Sequence, residues 1–316
     1  MPFNTNNVDV TVAANSVFGI TTAILNDVVP ATTLDDPDIR QIYLNTSNLI
    51  ANMIATNFSS RHDLALLYYP SAIEFYWFVA RTYGEITRKE KTEKLPHPVL
   101  EEVKELLSAV LHDHMTSVLI NQTQVDSRGD IYFDDFVGDG DLDRNNNTVV
   151  RGQDRLFTTG MAINALMSTW AVFDEKTKHL YWEKDTPDEV KDTVSKAASF
   201  LHNNLFGLTY QPWNAFFSGS VKGSTTGPSY PMNRNYITPG NPRDGYMDAV
   251  QGIIDEKTYQ ALIKKGVHGR PVPIDFHGYN NYPDYWPFWS SEPYTYVTNM
   301  LALSRYANTY DQYEKL

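Results

Sequence analysis

Apolar positions recur along most of the chain at the spacing of a helix. In residues 7–26, Val10, Ala14, Val17, Ile20 and Ile24 fall on one stripe. Residues 38–57 repeat the pattern behind Pro37, a residue suited to a first helical turn because the N–H it lacks would have no partner there. Further helices are predicted over 74–86, 99–121, 156–173, 187–205, 255–266 and 292–313. The stretch 99–121 is the most evenly amphipathic, and 187–205 opens with Asp188 and Glu189, whose charges favour a helix N-terminus. The intervening segments read as connections. They are a bend at 59–63, a charged loop at 87–98, and a polar Gly/Asp/Asn-rich loop at 127–154 with one short strand near 131–133. A long Gly/Pro-rich loop at 207–250 and an aromatic loop at 277–289 complete the set.

Four of the helical segments share one form, a bend followed by small, Thr-bearing and apolar residues. They begin near Asn7, Tyr69, Gly152 and Trp289. Between them lie more charged helices, such as VLEEVKELL and PDEVKDTVSKAA. Helices covered on nearly all sides can be apolar throughout, whereas helices with one wet side must be amphipathic. The alternation therefore predicts an all-α protein with an inner and an outer ring of helices. This is an α/α toroid spanning 1–316 as one domain, with long aromatic and Gly/Pro-rich loops at one end. An ordinary helical bundle or solenoid is the competing architecture.

The inner segments resemble those of the terpenoid cyclase and protein prenyltransferase toroids. They are also similar to toroid proteins with a polar-Val-Asp-Val-Thr start, here Asn7-Val8-Asp9-Val10-Thr11. That resemblance implies a central cavity binding an apolar or isoprenoid-like small molecule. It also sets Asp9 on the proton-donating Asp of an Asp-x-Asp-Asp-Thr-Ala run, although Asn7 and Val10 stand where that run has acids. Helix capping is the other reading of Asp9.

Composition narrows the chemistry. A hydrophobic share of 42% supplies a real core, and 20 Tyr, 15 Phe and 6 Trp are a heavy aromatic load. A net charge of −12 disfavours nucleic acid and anionic membranes as partners. The absence of cysteine excludes disulfides, thiolate zinc sites and a cysteine nucleophile. No apolar run is long enough to insert in a bilayer, and the first residues lack the pattern of a signal peptide. A soluble protein is expected, cytoplasmic or secreted in processed form, with a small-molecule ligand and an undetermined oligomeric state.

Three constellations bear on function. Acids at or before the starts of the inner segments are Asp9, Asp63, Glu74, Asp134, Asp154, Asp275 and Glu292, with Asp9, Asp154 and Glu292 the foremost catalytic candidates. Two of them facing each other across a cleft would serve a carbohydrate-processing α/α barrel, the alternative to cyclase-like chemistry. A non-catalytic binding module is the third possibility. Asp139, Asp141, Asp143 and Asn145 offer oxygen ligands at alternate positions, as calcium loops do. Arg144 replaces the EF-hand glycine and Val150 its closing glutamate. The loop 139–154 is thus either a looser Ca²⁺ or Mg²⁺ site or a solvated acidic stretch. Finally, Tyr69, Tyr76 and Trp77, together with His277, Tyr279, Tyr282, Tyr285, Trp286, Trp289 and Tyr294, are candidate ligand-lining groups. Packing of the long loops is their other reading. Sequence patterns for nucleotide phosphates, for a metalloprotease and for a serine hydrolase are absent.

Overall fold

The computed structural model describes residues 8–58, 66, 69, 71–134, 154–207, 209–210, 212, 214, 217–218, 230–231, 236–238, 241–242, 253–254, 257, 288–289 and 291–311. These residues are mostly helical. The helices are α1 (Val10–Leu25), α2 (Pro37–Ala55), α3 (Ala72–Thr92), α4 (Pro98–Val110), α5 (Thr116–Asn121), α6 (Arg155–Trp170), α7 (Asp188–Asn204) and α8 (Glu292–Ala307). A π-helical turn, Leu111–Met115, joins α4 to α5.

Local chemistry fixes the starts. The Asp9 carboxylate accepts from the backbone N–H groups of Thr11 and Val12, and Asp36 does the same for Asp38 and Ile39. Ser71 Oγ accepts from Glu74 N at 3.0 Å, and His97 Nδ1 from Val99 N at 3.2 Å. Such caps satisfy donors that have no partner within the helix.

Helices α1, α3, α6 and α8 lie side by side in chain order, while α2, α4 and α7 pack behind them. Every residue of α6 is buried, as the middle of an inner row requires. Glycines set the closest approaches. A Cβ on Gly84 of α3 would meet the Ser168 carbonyl of α6 at 3.0 Å, and one on Gly160 of α6 would collide with Asn299 Oδ1 of α8. Contacts near the starts (Phe157 with Tyr294) and near the ends (Ser168 with Arg305) show that α6 and α8 run parallel. Helix α2 is tied back to α1 by the Thr21 and Tyr43 hydroxyls, 2.5 Å apart. Each stretch leading into an inner helix (56–71, 122–154 and 205–291) is longer than the stretch that leaves the inner helix before it (26–36, 93–97 and 171–187).

Small sheets cap the two ends. A hairpin of β1 (Gln124–Val125) and β2 (Ile131–Tyr132) packs on α7. At the far end, β3 (Ala171–Phe173) pairs antiparallel with β4 (Leu180–Trp182), and the strand after α8 (Thr309–Tyr310) pairs parallel with β4.

Three sequence expectations need correction. Residues 87–92 are not loop but the last turns of α3. Their charges sit on an exposed face in the ion pairs Arg88–Glu85 and Lys89–Glu93, and such residues propagate a helix well. Residues 171–173 and 309–310 leave the predicted helices because their backbones pair with β4. The strand expected near 131–133 is present as β2. The helix expected over 255–266 lies outside the described residues apart from Lys257.

Candidate functional site

The starts of the inner helices converge. Glu74, in the first turn of α3, is fully buried, and its Oε1 accepts a hydrogen bond from the Tyr294 hydroxyl of α8 at 3.1 Å. The Phe157 ring of α6 lies 5.4 Å from that of Tyr294. Half-buried Tyr69, just before α3, stands edge-on to Phe78 at 5.7 Å. One end of the inner row therefore gathers a carboxyl, two phenols and several rings.

The electrostatics of these groups are shared. Burial pushes the Tyr294 hydroxyl far above the usual phenol range, and the adjacent Glu74 carboxyl adds to the effect. Burial also raises Tyr69, followed by the charges of Glu74 and Asp9, while Arg81 opposes them. Asp9 thus belongs electrostatically to the cluster, although its Oδ1 is engaged with the first turn of α1.

Arg81 follows Glu74 by seven residues, two helical turns along the same face of α3. Its guanidinium lies over the rings of Phe18 (4.1 Å), Phe78 (4.6 Å) and Trp77 (5.3 Å). It donates to Asn15 Oδ1 of α1. Burial lowers its pKa from the ordinary arginine value, countered by Tyr294, Glu74 and Tyr69. The lone cation within EFYWFVARTYG was the available sequence signal for this residue.

The other candidates are distributed unevenly. Trp77 is buried beside Phe78 and close to Arg81. Tyr76, fully buried, points elsewhere and packs with Phe58 and Phe75 in the core. Asp154 is buried immediately before α6, where its carbonyl accepts from Thr158. Glu292 is exposed in the first turn of α8. Trp289 pairs through its backbone with Phe217. His277, Tyr279, Tyr282, Tyr285, Trp286, Asp139, Asp141, Asp143 and Asn145 lie outside the described residues. Among the described residues no cluster of three metal-ligating side chains occurs, nor any helix long and apolar enough to cross a membrane.

Two further features lie apart from this cluster. Arg155 forms a buried ion pair with Asp134 at 2.9 Å, stacks over Tyr132 at 4.3 Å and donates to the Tyr210 hydroxyl. It thereby fastens the β1–β2 hairpin to the start of α6. A groove of about 1050 Å³ opens at the opposite end of the molecule, between the last turn of α3 and the β3–β4 hairpin. Its charges are of both signs, and Glu175 is already paired with Arg88 and Lys178. The acid, phenol and arginine cluster is accordingly the stronger site. No protein-family model matches the chain, and neither does any curated protein or solved structure.

Proposed function

We propose that the chain is a single α/α-toroid domain that binds a small apolar or isoprenoid-like molecule where α1, α3, α6 and α8 begin. Glu74 and Tyr294 are its proton-handling pair. The observation that carries this reading is the buried Tyr294–Glu74 hydrogen bond between two inner helices, framed by the rings of Phe157, Tyr69 and Phe78. The parallel α6 and α8, the outer helices behind the row, and the long connections at the entering ends support the toroid.

The chemistry follows from the environment. Carboxyl groups withdrawn from water hold a proton to higher pH, as a donor at neutral pH must. The Tyr294 hydroxyl fixes one oxygen of Glu74, and aromatic faces stabilise positive charge developing on an alkene. Asp9 supports the pair from a distance, because its carboxylate is engaged in capping α1. That engagement also weakens the case for a two-acid carbohydrate mechanism.

Deuterium uptake provides the test. The full chain would be incubated with farnesol in heavy water and the alkene examined by mass spectrometry. Uptake by the wild type, reduced about a hundredfold or more in Glu74→Gln, is expected of a general acid. Binding of farnesol without any uptake would remove the proton chemistry and leave a binding module.

A further inference from the structure

We infer that the molecule bound at this site carries a carboxylate, and that Arg81 receives it. The inference rests on the site proposed above and adds the chemical class of its ligand. Arginine rarely leaves water unless it is paired. Arg81 is partly buried, yet among the described residues no Asp or Glu lies within ion-pair distance of it. Its one hydrogen bond goes to the neutral Asn15, and its Nε is buried without an acceptor. Three aromatic rings hold the guanidinium plane and leave its edges as the remaining sites for polar contact. A planar fork with an unused N–H is matched by the two oxygens of a carboxylate.

The neighbourhood selects the charge of that ligand. Asp9 caps α1 as a carboxylate at this end of the molecule, and among the described residues Arg81 is the cation that opposes it in the field at Tyr69. A monoanion is accommodated there, and a phosphate dianion meets more repulsion. The rings around Arg81 and Tyr69 suit an apolar body. The ligand class is therefore an amphipathic monocarboxylate, with its head group at Arg81 and its chain against Phe18, Trp77 and Phe78.

Arg81 could instead serve only to staple α1 to α3, and titration calorimetry distinguishes the two. The full chain would be titrated with dodecanoate, dodecanol and dodecyl phosphate below their aggregation concentrations. Dodecanoate is expected to bind at least about tenfold more tightly than dodecanol, as a charge-assisted pair should allow. Arg81→Met should remove that preference and leave dodecanol within about twofold, and Arg81→Lys should restore part of it because the charge returns without the fork. If Arg81→Met unfolds, Arg81→Lys still decides, since undiminished dodecanoate affinity there overturns the fork. Equal binding of dodecanoate and dodecanol by the wild type overturns the carboxylate and leaves the apolar site standing. Tighter binding of dodecyl phosphate also overturns it. Failure of all three probes to bind removes the site and the inference together.

Discussion

Asn164 and Asn299 are both fully buried amides at the seam between α6 and α8, but they are satisfied differently. Asn164 Nδ2 donates to the carbonyls of Gly160 (2.9 Å) and Thr298 (3.0 Å). Asn299 Nδ2 and Oδ1 have no hydrogen-bond partner among the described residues. Leaving a buried partner unsatisfied costs roughly 1–3 kcal/mol, whereas removing an unsatisfied group of similar shape costs little or stabilises. Asn164→Leu should therefore lower the unfolding free energy by about that amount, and Asn299→Leu should be near neutral or stabilising. Urea melts of the two variants measure the difference, and equal losses would contradict it. The sequence shows both asparagines as polar residues on apolar helices. Which one is satisfied depends in part on a carbonyl contributed by another helix, Thr298 of α8.

Among the helices, two glycines illustrate what sequence pattern conveys and what it omits. Gly19 in α1 has nothing within 4 Å of a built Cβ, so Gly19→Ala should stabilise by about 1 kcal/mol through helix propensity. Gly160 in α6 has Asn299 Oδ1 in the position a methyl would take, so Gly160→Ala should destabilise by roughly 1–3 kcal/mol through overpacking. Thermal melts of both variants check the opposite signs. The helices themselves were readable from periodicity, and the Asp9 cap from residue type. The length of α3 was not, because charge density in 87–92 looks the same in a loop and on an exposed helical face. The conversion of 171–173 to strand also escaped, because its partner β4 and the strand after α8 lie elsewhere in the chain.

At the scale of the molecule, His112 links three elements at the end remote from the proposed site. It sits in the π turn, packs edge-on against Trp170 of α6 at 4.4 Å, and has Nε2 3.8 Å from a Glu183 oxygen after β4. Burial pulls its pKa down, but Glu183, the Ser108 carbonyl and Asp185 outweigh burial and leave it above the ordinary histidine value. A raised folded-state pKa means that the native state binds the proton more tightly than the unfolded chain. That stability is fully present below about pH 6.5, the unfolded value, and fades as pH rises through the higher folded value. Denaturant melts over this range should show stability falling with pH in the wild type and a smaller change in His112→Gln. An identical slope would remove the proposed link.

The sequence by itself determined that the chain is mostly helical, that small-residue helices alternate with charged ones, and that acids and aromatics collect at the beginnings of the former. Those features follow from short-range periodicity, capping and composition, which act within a few residues. Only the tertiary structure decided that Glu74 meets Tyr294, that Arg81 lies over three rings with no carboxylate at ion-pair distance among the described residues, and that Tyr76 packs with Phe58 and Phe75 while Trp77 packs beside Phe78 and Arg81. Each of these depends on the register between parallel helices far apart in the chain. Glycine contacts and buried side chains set that register, and no local spacing encodes it.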